Sequence, residues 1–343
     1  MSDARLAVIA RMFLLEPDAM FPLLVRNPLL AILLTFVAAA VSAQGYPEKS
    51  VRMIVPYPAG GPTDVTARSL AAHLSELWKQ SVYVENKPGA TGSIGARDAI
   101  NSKPDGYTLL LTASAALVLY PSMIDNPPFD VNADFTPITS LSYSDLVLVV
   151  NSKLRVNSVQ ELIAYGREHP GEMFFGSAGN GAVNHVAGEL FNRSAELNVT
   201  HVPYKGDGLA LNDLLAGQVT MSFMSAQLAL PQIQAGSLKA LAVAGGTRMA
   251  ALPEVPTMKE AGVPDFELRA WNGLLGPAGM ETEVVQTINN GVIRVMSDAT
   301  VRQQLSSLGF TIDTSTPEAF AERLRNESAR WDAFIHAANI SID

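Results

Sequence analysis

Val51-Arg-Met-Ile-Val-Pro-Tyr-Pro-Ala-Gly-Gly-Pro-Thr-Asp64 runs an apolar segment straight into a glycine-proline turn and a helix start. The apolar run has the length and β-branched content of a buried strand, and Pro62 suits the first helical turn, where its missing N–H costs nothing. A strand delivered to a helix N-terminus through Gly60 and Gly61 gathers unpaired backbone N–H groups and the positive end of the helix dipole, which is how an anion is held. Asp64 falls in that first turn, where a carboxylate caps backbone N–H groups; its other possible use is to receive an ammonium group of a ligand. Met173-Phe-Phe-Gly-Ser-Ala-Gly-Asn-Gly181 has the same layout: apolar strand, open glycine turn, then a helix. Two such turns imply a two-sided binding cleft.

Outward from these turns, strand-length apolar runs at residues 51–55, 82–84, 107–112, 146–150, 173–175, 219–224 and 238–244 alternate with helical patterns. That alternation is the signature of βαβ units and a mostly parallel sheet, so the chain reads as α/β. Ala67, Leu70, Ala71, Leu74, Leu77 and Trp78 recur at helical spacing after the first turn, and Val183, Val186, Ala187, Leu190 and Phe191 do so after the second. Both helices are expected to lay that face on a sheet. Pro and Gly punctuate Leu252-Pro-Glu-Val-Pro256, Ala261-Gly-Val-Pro264 and Leu275-Gly-Pro-Ala-Gly279, which read as connectors. From Glu281 onward the pattern is helical, and no internal repeat stands out.

Residues 1–43 read as a signal peptide: a basic flank at Arg26, an apolar run over 29–41, and small residues at the end of Val41-Ser-Ala43. The apolar run is shorter than the roughly 20 residues that span a bilayer, so cleavage after Ala43 is favoured over an anchor. Cysteine is absent, which excludes a disulfide framework and a lipid-attached N-terminus. The leader holds equal numbers of acidic and basic residues, so the mature chain keeps the net charge of −9. An acidic chain without a basic run is a poor binder of nucleic acid.

Catalytic patterns are weak. The second turn lacks the lysine of a P-loop and the spacing of a dinucleotide loop. Ser177 does not sit in G-x-S-x-G, so an exported hydrolase using Ser177 with His185 or His201 lacks its nucleophile elbow. Tyr83 and Lys87 have the spacing of a dehydrogenase pair, but that spacing works on a helix and Val82 and Val84 read as strand. The glycines of Gly89-Ala-Thr-Gly-Ser-Ile-Gly95 are read the same way, as an accidental likeness to a nucleotide loop. With no cysteine and no histidine pair at helical spacing, neither a metal nor a cofactor is indicated.

The residues resemble a known family, the solute-binding receptors of tripartite tricarboxylate transporters, also called Bug-type periplasmic receptors. The likeness rests on the ordered segments 54–68, 84–95, Lys103-Pro-Asp-Gly-Tyr-Thr-Leu109, 176–191, His201-Val-Pro-Tyr-Lys-Gly206, Leu214-Leu-Ala-Gly-Gln-Val219, 233–243 and 253–262, and it covers essentially the whole mature chain. The resemblance implies a type II-like periplasmic binding protein, or Venus flytrap. Two α/β lobes with a mixed, mostly parallel sheet each are joined by crossing hinge strands. Lobe 1 is expected from residues 44–142 plus 250–343 and lobe 2 from 143–249.

The resemblance also implies that the two turns grip a carboxylate like pincers through backbone N–H groups and bridging water. Carried over by position, the ligand-binding residues are Tyr57, Ala59, Gly60, Gly61, Thr63, Asp64, Ser114, Ser177, Ala178, Gly179, Asn180, Gly181, His185, Tyr204 and Lys205. The sequence departs from the family pattern at Ala182, where a serine is frequent, and at Met221-Ser-Phe-Met-Ser-Ala226, where an acidic or amide residue is frequent. Both departures make the pocket less polar and argue against an amino-acid ligand. The expected partners are a small organic carboxylate and membrane permease subunits, with the receptor itself a monomer in the periplasm. A sensing receptor that presents the same clamp to a membrane signalling partner is the alternative.

Overall fold

A computed structural model describes residues 45–342, so the expected signal peptide lies outside the described residues. The chain divides after Glu48, and the unit that carries both glycine turns begins at Lys49. Its first layer follows from the opening motif. Strand β1 (Val51–Val55) is almost wholly buried and leads through the turn into helix α1 (Pro62–Trp78). Ala67, Leu70, Ala71 and Leu74 bury the expected face of α1. β2 (Val82–Asn86), α2 (Ser93–Ile100) and β3 (Thr108–Ala113) follow, and both β2 and β3 pair parallel with β1.

β4 (Phe135–Asn151) is the longest strand. After it come α3 (Val159–Glu168), β5 (Phe174–Ser177), α4 (Val183–Ala195), β6 (Thr200–Pro203), α5 (Asp207–Ala216), β7 (Met221–Ser225), α6 (Ala226–Gln234) and β8 (Leu238–Val243). Then the chain returns through β9 (Arg269–Pro277), α7 (Thr282–Met296), α8 (Ala299–Ser307), β10 (Thr311–Ile312) and α9 (Pro317–Ala337). The hydrogen-bonded order is β2-β1-β3-β9-β4-β7-β5-β6, with β8 and β10 also on β4.

The sheet is mixed, as expected, but its parallel pairs are confined to β2-β1-β3 and β6-β5-β7. Every pairing of β4 and β9 is antiparallel. β4 passes from one set of partners to the other within two residues: Asp145 pairs with Arg269 of β9, and Leu146 with Ser225 of β7. Arg269 bridges Asp145 at 3.0 Å, lies over the Tyr143 ring, and donates to Thr247 Oγ1 at 2.9 Å.

Two sequence expectations are corrected. The glycine and proline around Leu275-Gly-Pro predict a connector, yet Arg269–Pro277 is a buried strand between β3 and β4. Its glycines serve packing rather than turning: a Cβ on Gly273 would run into the Phe320 ring, and one on Gly276 into the Met280 sulfur. The apolar run at 146–150 is the second half of a longer strand whose first half, rich in Ser and Thr, carries no apolar alternation. Thr139, Ser140, Ser142 and Ser144 are nonetheless buried there.

Candidate functional site

The first turn is stapled by Asp64. Its carboxylate accepts from the Gly60 N–H at 2.8 Å, from Arg68 Nε at 2.8 Å and from Asn86 Nδ2 at 2.8 Å. Burial would raise its pKa, but the hydrogen bonds from Arg68, Gly60 and Asn86 outweigh it and hold the carboxyl below its ordinary value. Asp64 is thus consumed in capping its own loop, with the residue almost fully buried. Tyr57 sends its hydroxyl inward to Thr112 Oγ1 at 3.3 Å, and burial pushes its pKa up. Ala59 and Gly60 are exposed at the tip of the turn.

The second turn is stapled by neutral groups. Asn184 Oδ1 accepts from the Ala178 N–H at 3.1 Å, and His185 Nδ1 accepts from the Gly181 N–H at 3.1 Å. The Ser177 hydroxyl accepts from the Gly179 N–H at 3.1 Å and lies 2.6 Å from His201 Nε2. The imidazoles of His185 and His201 stack with centroids 3.9 Å apart. Burial lowers the pKa of each to about 4, and for His201 the neighbouring His185 adds to it. Both rings are therefore uncharged at neutral pH. Ser177 is fully buried and pairs with His201 rather than His185.

Between the turns lies a cavity of about 540 Å³. Four helices begin in its wall: α1 at Pro62 and Thr63, α4 at Val183 and Asn184, α5 at Asp207, and α6 at Gln227 and Leu228. The first N–H groups of a helix have no acceptor within the helix, so four sets of donors and four positive dipole ends converge on one space. The described lining contains no lysine or arginine, so these dipole ends are the positive potential that an anion would meet there.

Polar side chains in the wall form pairs. The Thr63 hydroxyl donates to Asn272 Oδ1 at 3.2 Å, the Ser144 hydroxyl to Gln227 Oε1 at 3.1 Å, and Asn184 Nδ2 to Asp207 Oδ1 at 2.5 Å. The rest is mostly apolar, with Leu146, Leu228 and Phe310 among Ala113, Ala178, Ala182 and Ala270.

Of the sequence-selected residues, Thr63 and Ala178 line this cavity. The N–H groups of Gly60, Ala178, Gly179 and Gly181 are already engaged by side chains of their own loops. Gly61 is the residue before α1, and Asn180 is exposed at the tip of the second turn. Ser114 is buried beside the strand, 3.4 Å from the N–H of Trp271. Tyr204 turns its hydroxyl to Asp213 at 2.7 Å, and burial with that carboxylate pushes its pKa to about 12. Lys205 is exposed.

Sequence reading missed Asn184, Asp207, Ser225, Gln227 and Asn272, all in the lining. Asn184 and Asp207 carried a usable signal, a polar residue in the first turn of a helix after a glycine loop. Asn272 carried none, because its strand was hidden. Among the described residues no cluster of His, Asp and Glu could hold a metal ion, and no helix is long and apolar enough to cross a membrane.

Comparison with known proteins gives the site its context. Residues 66–340 match the family described as tripartite tricarboxylate transporter family receptor, TctC. Protein BugT of Bordetella pertussis is 36% identical over 296 residues, covering 86% of this chain and 91% of that protein. Among solved structures, R. palustris Rpa4515 with adipate has a TM-score of 0.75 at 32% identity, covering 87% of this chain and 99% of its own. MatC (Rpa3494) from Rhodopseudomonas palustris with bound malate has a TM-score of 0.71 at 30% identity, covering 84% and 99%. The family match takes in the second glycine turn and begins just after the first, and the matches concern receptors rather than enzymes. The chain belongs to the TctC, or Bug-type, family of periplasmic solute receptors of tripartite tricarboxylate transporters.

Proposed function

We propose that this receptor is exported through a cleaved leader, captures a small organic carboxylate in the periplasm, and delivers it to the membrane permease subunits of a tripartite tricarboxylate-type transporter. The observation that carries the reading is the convergence of four helix starts on one cavity between the two glycine turns. The adipate and malate of the two Rhodopseudomonas receptors point to the same ligand chemistry. In this reading the turns at residues 57–64 and 177–181 are the jaws of the clamp, on lobes formed by 44–142 with 250–343 and by 143–249. The change of partners at Asp145 and Leu146, where β4 crosses, is then the hinge, and the Arg269 bridge is the latch that the motion must accommodate.

A ligand that binds only the folded state raises the unfolding temperature in proportion to the logarithm of its concentration over Kd. Differential scanning fluorimetry of the mature receptor against mono-, di- and tricarboxylates is expected to show a rise of several degrees for at least one acid at millimolar concentration. A flat response to every carboxylate would remove the proposal.

A further inference from the structure

Helix starts open onto the cavity from both sides, but only one side carries a carboxylate. On the side without it, Thr63 opens α1 and its hydroxyl fixes the Asn272 amide through Oδ1, which leaves Asn272 Nδ2 as a donor with no acceptor among the described residues. Asn272 is 4% exposed, so this donor sits on the cavity wall and not at the surface. Thr63 also brings a first-turn N–H of α1 to this wall, Pro62 before it having none. That wall is made of donors.

On the other wall stands Asp207, the lone ionisable residue in the described lining. Asn184 holds it in place: the amide oxygen is taken by the Ala178 N–H, so Nδ2 must donate, and it donates to Asp207 Oδ1. Burial raises the Asp207 pKa, against hydrogen bonds from Asn184 and Ser225. Between the walls run Leu146, Leu228, Phe310 and the alanines, with no cation to neutralise a second negative charge.

Resting on the reading that this cavity takes a carboxylate, we infer that Asp207 restricts it to monocarboxylates with an apolar body. One carboxylate is received by the Thr63 and Asn272 wall, the hydrocarbon part lies along the apolar strip, and a second carboxylate is refused by the like charge of Asp207. A ligand's far end is limited to an apolar group or a hydrogen-bond donor, which the Asp207 carboxylate accepts. Refusal here is by an unfavourable element built into the site, the ordinary route to discrimination between ligands that share one recognition group.

The test uses chain-matched acids that differ only by the second charge: butyrate with succinate, hexanoate with adipate, octanoate with suberate, and benzoate with terephthalate. Isothermal titration of the mature receptor and of Asp207→Asn at pH 7.5 and physiological salt reads the ratio of Kd within each pair. The wild type is expected to bind the monocarboxylate of its best pair at least tenfold more tightly, and Asp207→Asn to narrow that ratio by tenfold or more. The far-UV spectrum and the unfolding temperature of the variant check that it folds. A second variant, Asp207→Ser, keeps a small polar group and is expected to narrow the ratio as well. If the dicarboxylate binds the wild type as tightly as its partner, or if neither variant moves the ratio, the inference falls while the carboxylate receptor stands. If neither acid of any pair binds wild type or variant, both readings fall together.

Discussion

The two glycine turns share one plan and are pinned by opposite means. In the first, an ionised carboxylate in the helix's first turn reaches back to a loop N–H and is itself held by Arg68 and Asn86. In the second, the same reach-back is made by an amide and an imidazole, Asn184 and His185, with Ser177 and His201 behind them. A glycine loop that is to offer backbone groups to a ligand must be stiffened from within, and either charge or stacking neutral rings can do it. The choice sets which turn fails under which condition.

The largest effect is expected at the charged pin. Asp64→Ala strips the acceptor from the Gly60 N–H, Arg68 and Asn86 together in a buried setting. The cost is about 3 kcal/mol of unfolding free energy in urea, below that of a fully buried broken ion pair because Arg68 is half exposed. A loss under about 1 kcal/mol would mean that the charged pin contributes no more than an ordinary cap, and the contrast between the turns would dissolve.

A smaller effect is expected where the second turn's helix meets its strand. A Cβ on Gly188 of α4 would enter the Phe175 ring of β5. Overpacking of this kind costs about 1–3 kcal/mol, and alanine recovers about 1 kcal/mol of helix propensity. Gly188→Ala should therefore lower stability by up to about 2 kcal/mol in the same urea assay. The Phe175 ring also stacks on His201 with centroids 4.8 Å apart, so a stabilised variant would show that both rings are free to move aside.

The third effect vanishes at neutral pH and separates the turns most directly. His185 and His201 have pKa values lowered from 6.5 to about 4 in the folded chain. The unfolded chain then takes up protons that the folded chain refuses, so their contribution is complete above pH 6.5 and declines as pH falls from 6.5 toward 4. Asp64, whose pKa is lowered from 3.8, keeps its contribution through that window and loses it only as pH falls through its depressed folded value. Hydrogen exchange followed by mass spectrometry between pH 6.5 and 4.5, corrected for intrinsic rates, should show protection lost around Gly181 before Gly60. Equal loss at both turns would remove the distinction.

How far the fold could be read ahead of the structure is best seen by element. β1 and α1, and likewise β5 and α4, follow from apolar period and turn chemistry, and the buried faces of both helices are those the spacing names. β9 and the first half of β4 were invisible because their signals were spent on packing. Glycine in β9 makes room for Phe320 and Met280, and in β4 Thr139 and Ser140 bury hydroxyls that bond to the backbone carbonyls of Ser315 and Asp313. These two strands are the ones that join the two halves of the sheet. Local pattern reports what a segment needs from its own neighbours in sequence and is silent about a crossing made by distant parts.

The site divides in the same way. The chain's order of residues determined that two strand–turn–helix units exist and that each presents a helix N-terminus, because glycine, proline and first-turn polar groups act within a few residues of themselves. It also left backbone dipoles as the means of holding the proposed anion, since the net charge is negative and no basic run is present. The tertiary structure alone decided that α5 and α6 open onto the same cavity and that Asn272 stands beside Thr63, 209 positions away in sequence. It alone placed Asp207 in the lining of the same cavity, where no lysine or arginine stands among the described residues. Those placements depend on how β4 and β9 cross, which is a matter of long-range pairing and packing that no short window of sequence contains.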